Sequence, residues 1–273
     1  MQSKRENILF LKTLRKPHSS WEGDKGSLGQ NNIGYCVSPV PDVSVIVPAY
    51  NEEESIANVL KRLSRVIWSS SKVEVVVVDD GSIDGTSKEI EAFPFVRCIR
   101  HSKNMGKGAA IRTGFRASRG KVVVIQDADL EYPPEHIPQL VKPVLSGEAD
   151  VVFGSRFRGK CEGMSFSHLA CNKLLSLEAS LIFRISVTDI MTGHKVFSRA
   201  VVDSFELKEN GFGVEVEMTS QSLQNGWRFE EVPIVYSYRD FGISKIGPLD
   251  GIKSFLNLLL ISFKGVRRSK ENR

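Results

Sequence analysis

From Val43 onward the chain alternates short apolar runs with helical patterns. Ser44-Val45-Ile46-Val47-Pro48 is an almost continuous apolar run, as expected of a strand covered on both faces of a sheet. After Asn51-Glu52-Glu53-Glu54 the period changes, and Ile56, Val59, Leu60 and Leu63 fall on one face of a helix. Val73-Glu74-Val75-Val76-Val77-Val78 predicts a second strand, ending at Asp79-Asp80-Gly81-Ser82, with a helix start at Asp84-Gly85-Thr86-Ser87. Val96-Arg97-Cys98-Ile99 is a third strand, Ala109 to Ala117 a third helix and Lys121 to Ile125 a fourth strand. A further buried run is Asp150-Val151-Val152-Phe153-Gly154. Strands alternating with helices at this spacing predict βαβ units, hence an α/β chain with a mainly parallel sheet.

The two ends break the pattern. Residues 1–41 mix Ser, Gly, Asn and charges, close on Pro39-Val40-Pro41, and read as a flexible extension before a domain spanning 42–250. In 251–273, Ile252, Phe255, Leu256, Leu259 and Phe263 form a helical apolar stripe beside Lys253, Lys264, Arg267 and Arg268. Such a helix with a basic tail either lies on an anionic membrane surface or packs on the domain. Met164 to Ile185 is a second amphipathic region. In a chain of 273 residues, 41% hydrophobic and 25% charged, no apolar stretch reaches the ~18 to 20 residues of a membrane span. No signal-peptide pattern stands at the start, so a cytoplasmic protein with peripheral membrane contact is expected. The net charge of +5 resides largely at the basic ends, without the aromatic-basic interleaving of nucleic-acid modules, and no nucleic-acid partner is expected. Cys36, Cys98, Cys161 and Cys171 lack metal-ligand spacing and read as reduced, structural thiols.

In open α/β sheets ligands bind beyond the carboxyl ends of the strands. Three of those ends carry acids: Glu52, the pair Asp79 and Asp80, and the pair Asp127 and Asp129. Residues two apart on a strand face the same side, so Asp127 and Asp129 can address one charged ligand. Two close carboxylates raise each other's pKa unless a cation lies between them. Mg²⁺ or Mn²⁺ takes such oxygens and completes its shell with water and substrate phosphates, which points to a nucleoside diphosphate. A lone Asp-x-Asp is more often a solvated turn, but three acidic strand ends in one half-domain favour a cleft for base, ribose and metal. Pro48-Ala49-Tyr50-Asn51-Glu52 occupies the place where a dinucleotide fold needs GxGxxG. Gly106-Lys107-Gly108 lacks the Walker spacing and reads as a turn that admits backbone to a ligand, with Lys107 either near phosphate or solvated.

Val47 to Glu53, Val78-Asp79-Asp80-Gly81-Ser82, Asn104 to Ala109, Asp127-Ala128-Asp129 and Gly154-Ser155-Arg156 together resemble the GT-A glycosyltransferases of family 2. Within that family the likeness is to polyprenyl-phosphate sugar synthases, the dolichyl-phosphate mannose and glucose enzymes and their prokaryotic relatives. It runs from Val43 to Phe263 in motif order. The resemblance implies a Rossmann-like GT-A fold, three layers α/β/α around a mixed, mainly parallel sheet. It implies that Pro48, Tyr50 and Glu52 line the nucleotide, that Asp80 reaches base or ribose, and that Val78, Lys107 and Ala128 belong to the donor site. Asp127 would touch the donor and Asp129 would be the metal ligand, with Glu131 in the place of a second. Arg156 matches an arginine near phosphates, and Arg239 and Lys245 match a late basic pair that clamps the donor diphosphate or the acceptor phosphate. Asp189 to Lys195 resembles the acceptor-side segment and Gly213 to Glu217 the helix after it. Three residues separate Asp189 from Gly193, which leans toward glucose-type and broader prokaryotic relatives.

The implied reaction is inverting transfer of a hexose from a GDP-mannose or UDP-glucose type donor to a polyprenyl phosphate at the cytoplasmic face of a membrane. A lipid phosphate is already an anionic nucleophile, so it needs no base but does need basic residues, for which Arg156, Arg239 and Lys245 are candidates. The alternative, a saccharide hydroxyl acceptor, needs a base, and Asp189 or Glu215 would serve. A sugar-phosphate nucleotidyltransferase would need a Gly-rich basic loop after the first strand, where this chain has Asn51-Glu52-Glu53-Glu54. A non-catalytic binding protein would not need the acidic strand ends.

Overall fold

Val and Ile fill the central strands of the computed structural model, which describes residues 40–237 apart from 70, 163 and 165. The elements in chain order are β1 (Val43–Ala49), α1 (Ile56–Leu63), β2 (Val73–Asp79), α2 (Thr86–Glu91), β3 (Val96–Arg100), α3 (Lys107–Ala117) and β4 (Val122–Ile125). A 3-10 turn (Pro134–His136), α4 (Ile137–Leu145), β5 (Val151–Glu162), α5 (Phe166–Phe183), β6 (Lys195–Ser198), α6 (Arg199–Ser204), α7 (Val214–Gln224) and β7 (Phe229–Ser237) follow. The strands form one sheet in the order β3-β2-β1-β4-β6-β5-β7. The first four are mutually parallel. β6 runs antiparallel between β4 and β5, and β7 returns parallel to β5.

Alternate residues of the strands feed two cores. Val43, Val45 and Val47 of β1 pack with Ile56, Val59 and Leu60 of α1 and with Ile137, Leu140 and Val141 of α4. Ile46 faces the other way, with Val123 and Ile125 of β4, Phe153 of β5, Phe197 of β6, and Ile111 and Phe115 of α3. Each such side chain, fully buried, contributes about 1.5–3 kcal/mol of hydrophobic stabilisation. Helices therefore cover both faces, giving the expected three layers. A Cβ on Gly114 would lie 2.4 Å from Ile46 Cγ2, so glycine lets α3 lie directly on β1. The chain runs from β1 to β2 on one side and returns to β4 on the other. A crevice consequently opens at the carboxyl ends of β1 and β4.

Several features were not anticipated. α4 is punctuated by Pro138 and Pro143. Pro138 lies in the first turn, where proline costs little, whereas Pro143 lies inside the helix near its end. β6, Lys195-Val196-Phe197-Ser198, is too short to announce itself and exists because both its edges are paired. β5 extends to Glu162 through an irregularity between Ser155 and Lys160 that keeps it paired with β7. Among the described residues no helix is long and apolar enough to cross a membrane. Most of the expected N-terminal extension, the whole expected C-terminal helix, and the candidate residues Arg239 and Lys245 lie outside the described residues.

Candidate active site

The loops after β1 and β2 are zipped together. Asn51, whose φ of 50 suits asparagine, donates its backbone N–H to Ser82 Oγ at 3.0 Å, and its Oδ1 accepts from Ile83 N at 3.0 Å. Glu52 N donates to Thr86 Oγ1 at 2.8 Å, and Ser55 Oγ donates to the Glu52 carboxylate at 2.7 Å. Pro48 and Tyr50 are half-buried beside them. Asp79 is fully buried and accepts from Ser82 N and Ser87 Oγ, with Arg100 at 3.4 Å. Burial pushes its pKa up, but the two serines and Arg100 hold it below the ordinary carboxylate value. Asp79 therefore shapes the turn.

Asp80, expected to reach base or ribose, is turned inward. Its carboxylate receives Gly106 N at 2.7 Å, Met105 N at 3.0 Å and His101 Nδ1 at 2.6 Å. It thereby fixes the turn at Gly106, whose φ is 96, and sets the start of α3. The side chains of Val78 and Ala128 belong to the cores, so a donor would meet those positions only through their backbone.

Lys107, first residue of α3, is held between two acids, with its Nζ 2.7 Å from Asp127 Oδ1 and 2.9 Å from Glu215 Oε1. On the far side Lys195 Nζ lies 2.5 Å from Glu215 Oε2 and donates to Thr192 O at 2.6 Å. Two acids and two lysines thus alternate through the interior, from the end of β4 to the start of β6. Burial alone would lower the Lys107 pKa, yet Asp127 and Glu215 raise it well above the ordinary value. Burial likewise opposes the Glu215 charge, but Lys107 and Lys195 bring its pKa down. Lys195, fully enclosed, has its pKa lowered because desolvation outweighs Glu215.

Arg156 and Asp189 form a second buried pair. The guanidinium donates to both carboxylate oxygens at 2.7 Å, and Arg156 N adds a bond of 3.0 Å. The rings of Tyr236, Phe157 and Tyr132 lie 5.3, 5.7 and 5.9 Å from the cation. Arg156, expected near phosphates, is only 6% exposed and its guanidinium is held by Asp189. Glu231, also buried, accepts from Thr188 N and Asp189 N and holds this segment in place.

Beyond β4, Glu131 N donates to Asp129 Oδ1 at 3.1 Å, and the Glu131 carboxylate bonds the Tyr236 phenol. Burial, then Glu131, push that phenol's pKa upward. Among the described residues no three or more His, Cys, Asp or Glu side chains gather as a ready metal cage. The donor set at this edge is instead a few hard carboxylate oxygens, and Asp127 already carries a cation, the Lys107 ammonium. That incomplete oxygen set fits Mg²⁺ or Mn²⁺, which fill the remaining positions with substrate phosphate and water.

The sequence assigns no individual role to Gln126, Tyr132, His194, Lys195 and Tyr236. The available signal was a glutamine ending an otherwise apolar strand and a His-Lys pair entering another. Gln126 and His194 are fully buried and bonded to each other at 2.8 Å.

Residues 44–205 match the family model described as Glycosyl transferase family 2. The chain is 34% identical over 215 residues to a dolichol-phosphate mannosyltransferase of Pyrococcus furiosus, covering 75% of this chain and 59% of that protein. The chain thus spans little more than half of that relative's length. It is 29% identical over 223 residues to a polyprenol monophosphomannose synthase of Mycolicibacterium smegmatis, covering 77% of this chain and 83% of that one. Among solved structures, glucosyl-3-phosphoglycerate synthase from Mycobacterium tuberculosis in complex with Mn²⁺ and UDP aligns with a TM-score of 0.66 at 24% identity. That alignment covers 81% of this chain and 80% of that one, and it shows a GT-A-like fold. With sheet order, acidic strand ends and family model agreeing over the same stretch, the chain belongs to glycosyl transferase family 2.

Proposed function

We propose that the chain transfers a hexose, with inversion, from a GDP- or UDP-sugar to a polyprenyl phosphate at the cytoplasmic face of a membrane. The observation that carries this reading is the state of the two acids weighed as general bases. Asp189 is locked to Arg156 and Glu215 lies between Lys107 and Lys195, so each carboxylate is committed to buried cations. A hydroxyl acceptor would need such a base free, whereas a phosphate acceptor is anionic near neutral pH and needs none. The names of the two curated relatives, both phosphate-linked mannose synthases, point the same way.

In this reading Asp129, with Glu131 as a second ligand, would hold Mg²⁺ or Mn²⁺, which when bound neutralises the departing nucleoside diphosphate, and Asp127 touches the donor. Pro48, Tyr50 and Glu52 border the nucleotide, and Asp80 serves it indirectly by holding the Gly106 turn. Lys107 orders Asp127 at the donor end, and Arg156, neutralised by Asp189, holds the segment that carries Asp189. Arg239 and Lys245 remain the proposed contacts to phosphate. On α5, Phe166, Leu174, Leu177 and Leu181 are strongly exposed, an apolar face suited to the lipid chain or the bilayer surface.

The test is transfer from labelled UDP-glucose and GDP-mannose, with Mg²⁺ or Mn²⁺, to polyprenyl phosphate in vesicles or to soluble saccharides. Label is expected in the lipid fraction, as a glycosyl phosphate released by mild acid. Label appearing only on saccharide hydroxyls would sink the lipid reading.

A further inference from the structure

We infer that Gln126 and His194 are positioning residues that set the path of the loop Asp127–Tyr132, and through it the placement of the acids that meet the donor. This inference rests on the reading of Asp127 and Asp129 as the metal and donor site. Gln126 Nε2 donates to Asp127 O at 3.0 Å and to Tyr132 O at 2.9 Å. A single side-chain amide thus clamps both ends of the loop that begins one residue after it. Gln126 itself is anchored in the sheet, its N donating to Ile46 O at 2.9 Å.

The clamp dictates the state of His194. Because both carbonyls require a donor, the amide nitrogen must face them and Oε1 must face His194. His194 Nε2 therefore carries the hydrogen and donates to Gln126 Oε1 at 2.8 Å, while the bare Nδ1 is buried and has no hydrogen-bond partner among the described residues. Only a neutral imidazole tolerates that environment, and burial pushes its pKa down to about 3. The donor is consequently present throughout the neutral range. The ring is held against Tyr132, 5.1 Å between centroids, and His194 O accepts from Gly154 N at 2.9 Å. The loop's curvature is thus tied through two side chains to β1, β4 and β5, all elements of the central sheet.

Burying two polar side chains is costly where an apolar pair would have filled the same space, so stability alone does not explain them. Neither side chain is accessible to a ligand, and both act only through the loop.

The experiment measures Mn²⁺ uptake in the presence of UDP by electron paramagnetic resonance, alongside thermal unfolding. His194→Phe keeps the ring and removes the donor, and Gln126→Met keeps the volume and removes the amide. His194→Gln returns a donor near Nε2. The first two are expected to fold and to bind Mn²⁺ with UDP about tenfold or more weakly, the effect typical of groups that orient metal ligands. His194→Gln is expected to recover to within about threefold. Wild-type affinity in a folded His194→Phe or Gln126→Met, or no recovery in His194→Gln, would overturn the positioning role. If neither of the first two folds, the pair serves stability and the role is likewise overturned. Absence of uptake by the wild-type protein would instead sink the donor-site reading, and this inference with it.

Discussion

At Gly193 an added Cβ would lie 2.1 Å from Asp127 Oδ2 and 3.0 Å from the Tyr132 ring. The nearest atom is the end of a movable side chain, so the fold can tolerate alanine while Asp127 cannot keep its place. Gly193→Ala should therefore shift stability by no more than about 1 kcal/mol yet lower kcat/KM by at least about tenfold, since small misplacements at a reacting centre are expensive. Steady-state kinetics beside urea denaturation separates the two effects, and unchanged kcat/KM would show that Asp127 has room to spare. The same scale explains why single letters do not assign a role. Asp80, Asp189 and Glu215 share one chemistry in the sequence, but each is spent on a different internal partner: a loop backbone, an arginine and two lysines. Lys107, open between phosphate contact and solvation in the sequence, sits between two carboxylates.

Among elements, the N-terminus of α3 is closed by the segment leading into α7. Gly108 N donates to Asn210 O at 2.6 Å, and Arg112 reaches Glu209 O and the Asn210 side chain. The Glu217 carboxylate, from the first turn of α7, takes Lys208 N and Glu209 N and pins the other end of the strap. Gly106 and Gly108 permit this approach, because Cβ atoms there would meet the backbone at Asn210 O and Glu209 O, at 2.4 and 2.2 Å. Glycine to alanine inside a helix ordinarily stabilises by about 0.5–1 kcal/mol. At Gly108 the clash with backbone outweighs that gain, and Gly108→Ala should destabilise by about 1–3 kcal/mol. Faster hydrogen exchange across residues 207–213 would accompany it, whereas a stabilised Gly108→Ala would mean that the strap moves away freely.

Across the whole molecule, buried ionisable groups make stability depend on acidity. His194 titrates at about 3 when folded, against an ordinary value of 6.5. Between those values the unfolded chain holds a proton that the native state refuses, so stability falls as pH drops through that window, by up to about 1.4 kcal/mol per unit. His136, also lowered by burial, adds a slope of the same sign. Asp79 contributes stability above its ordinary 3.8 that is lost as pH falls through its depressed folded value. Denaturation midpoints from pH 7 down to 4.5 should decline in the wild-type protein and flatten in His194→Gln, and equal slopes would contradict the neutral buried imidazole.

The sequence by itself determined the α/β class, the order of the first four strands along the chain and the edge at which the acids collect. Those follow from local rules: apolar runs make buried strands, a 3.6-residue period makes helices, and a parallel sheet offers its carboxyl ends. Only the tertiary structure decided what each charged group does. β6 enters antiparallel between β4 and β5, carrying His194 to Gln126 and Lys195 to Glu215 across the interior. Partners separated by 20 to 68 residues leave no mark in spacing or composition. Inside the protein, where water no longer screens charge or saturates lone pairs, the nearest buried partner dictates the role of each acid, base and amide.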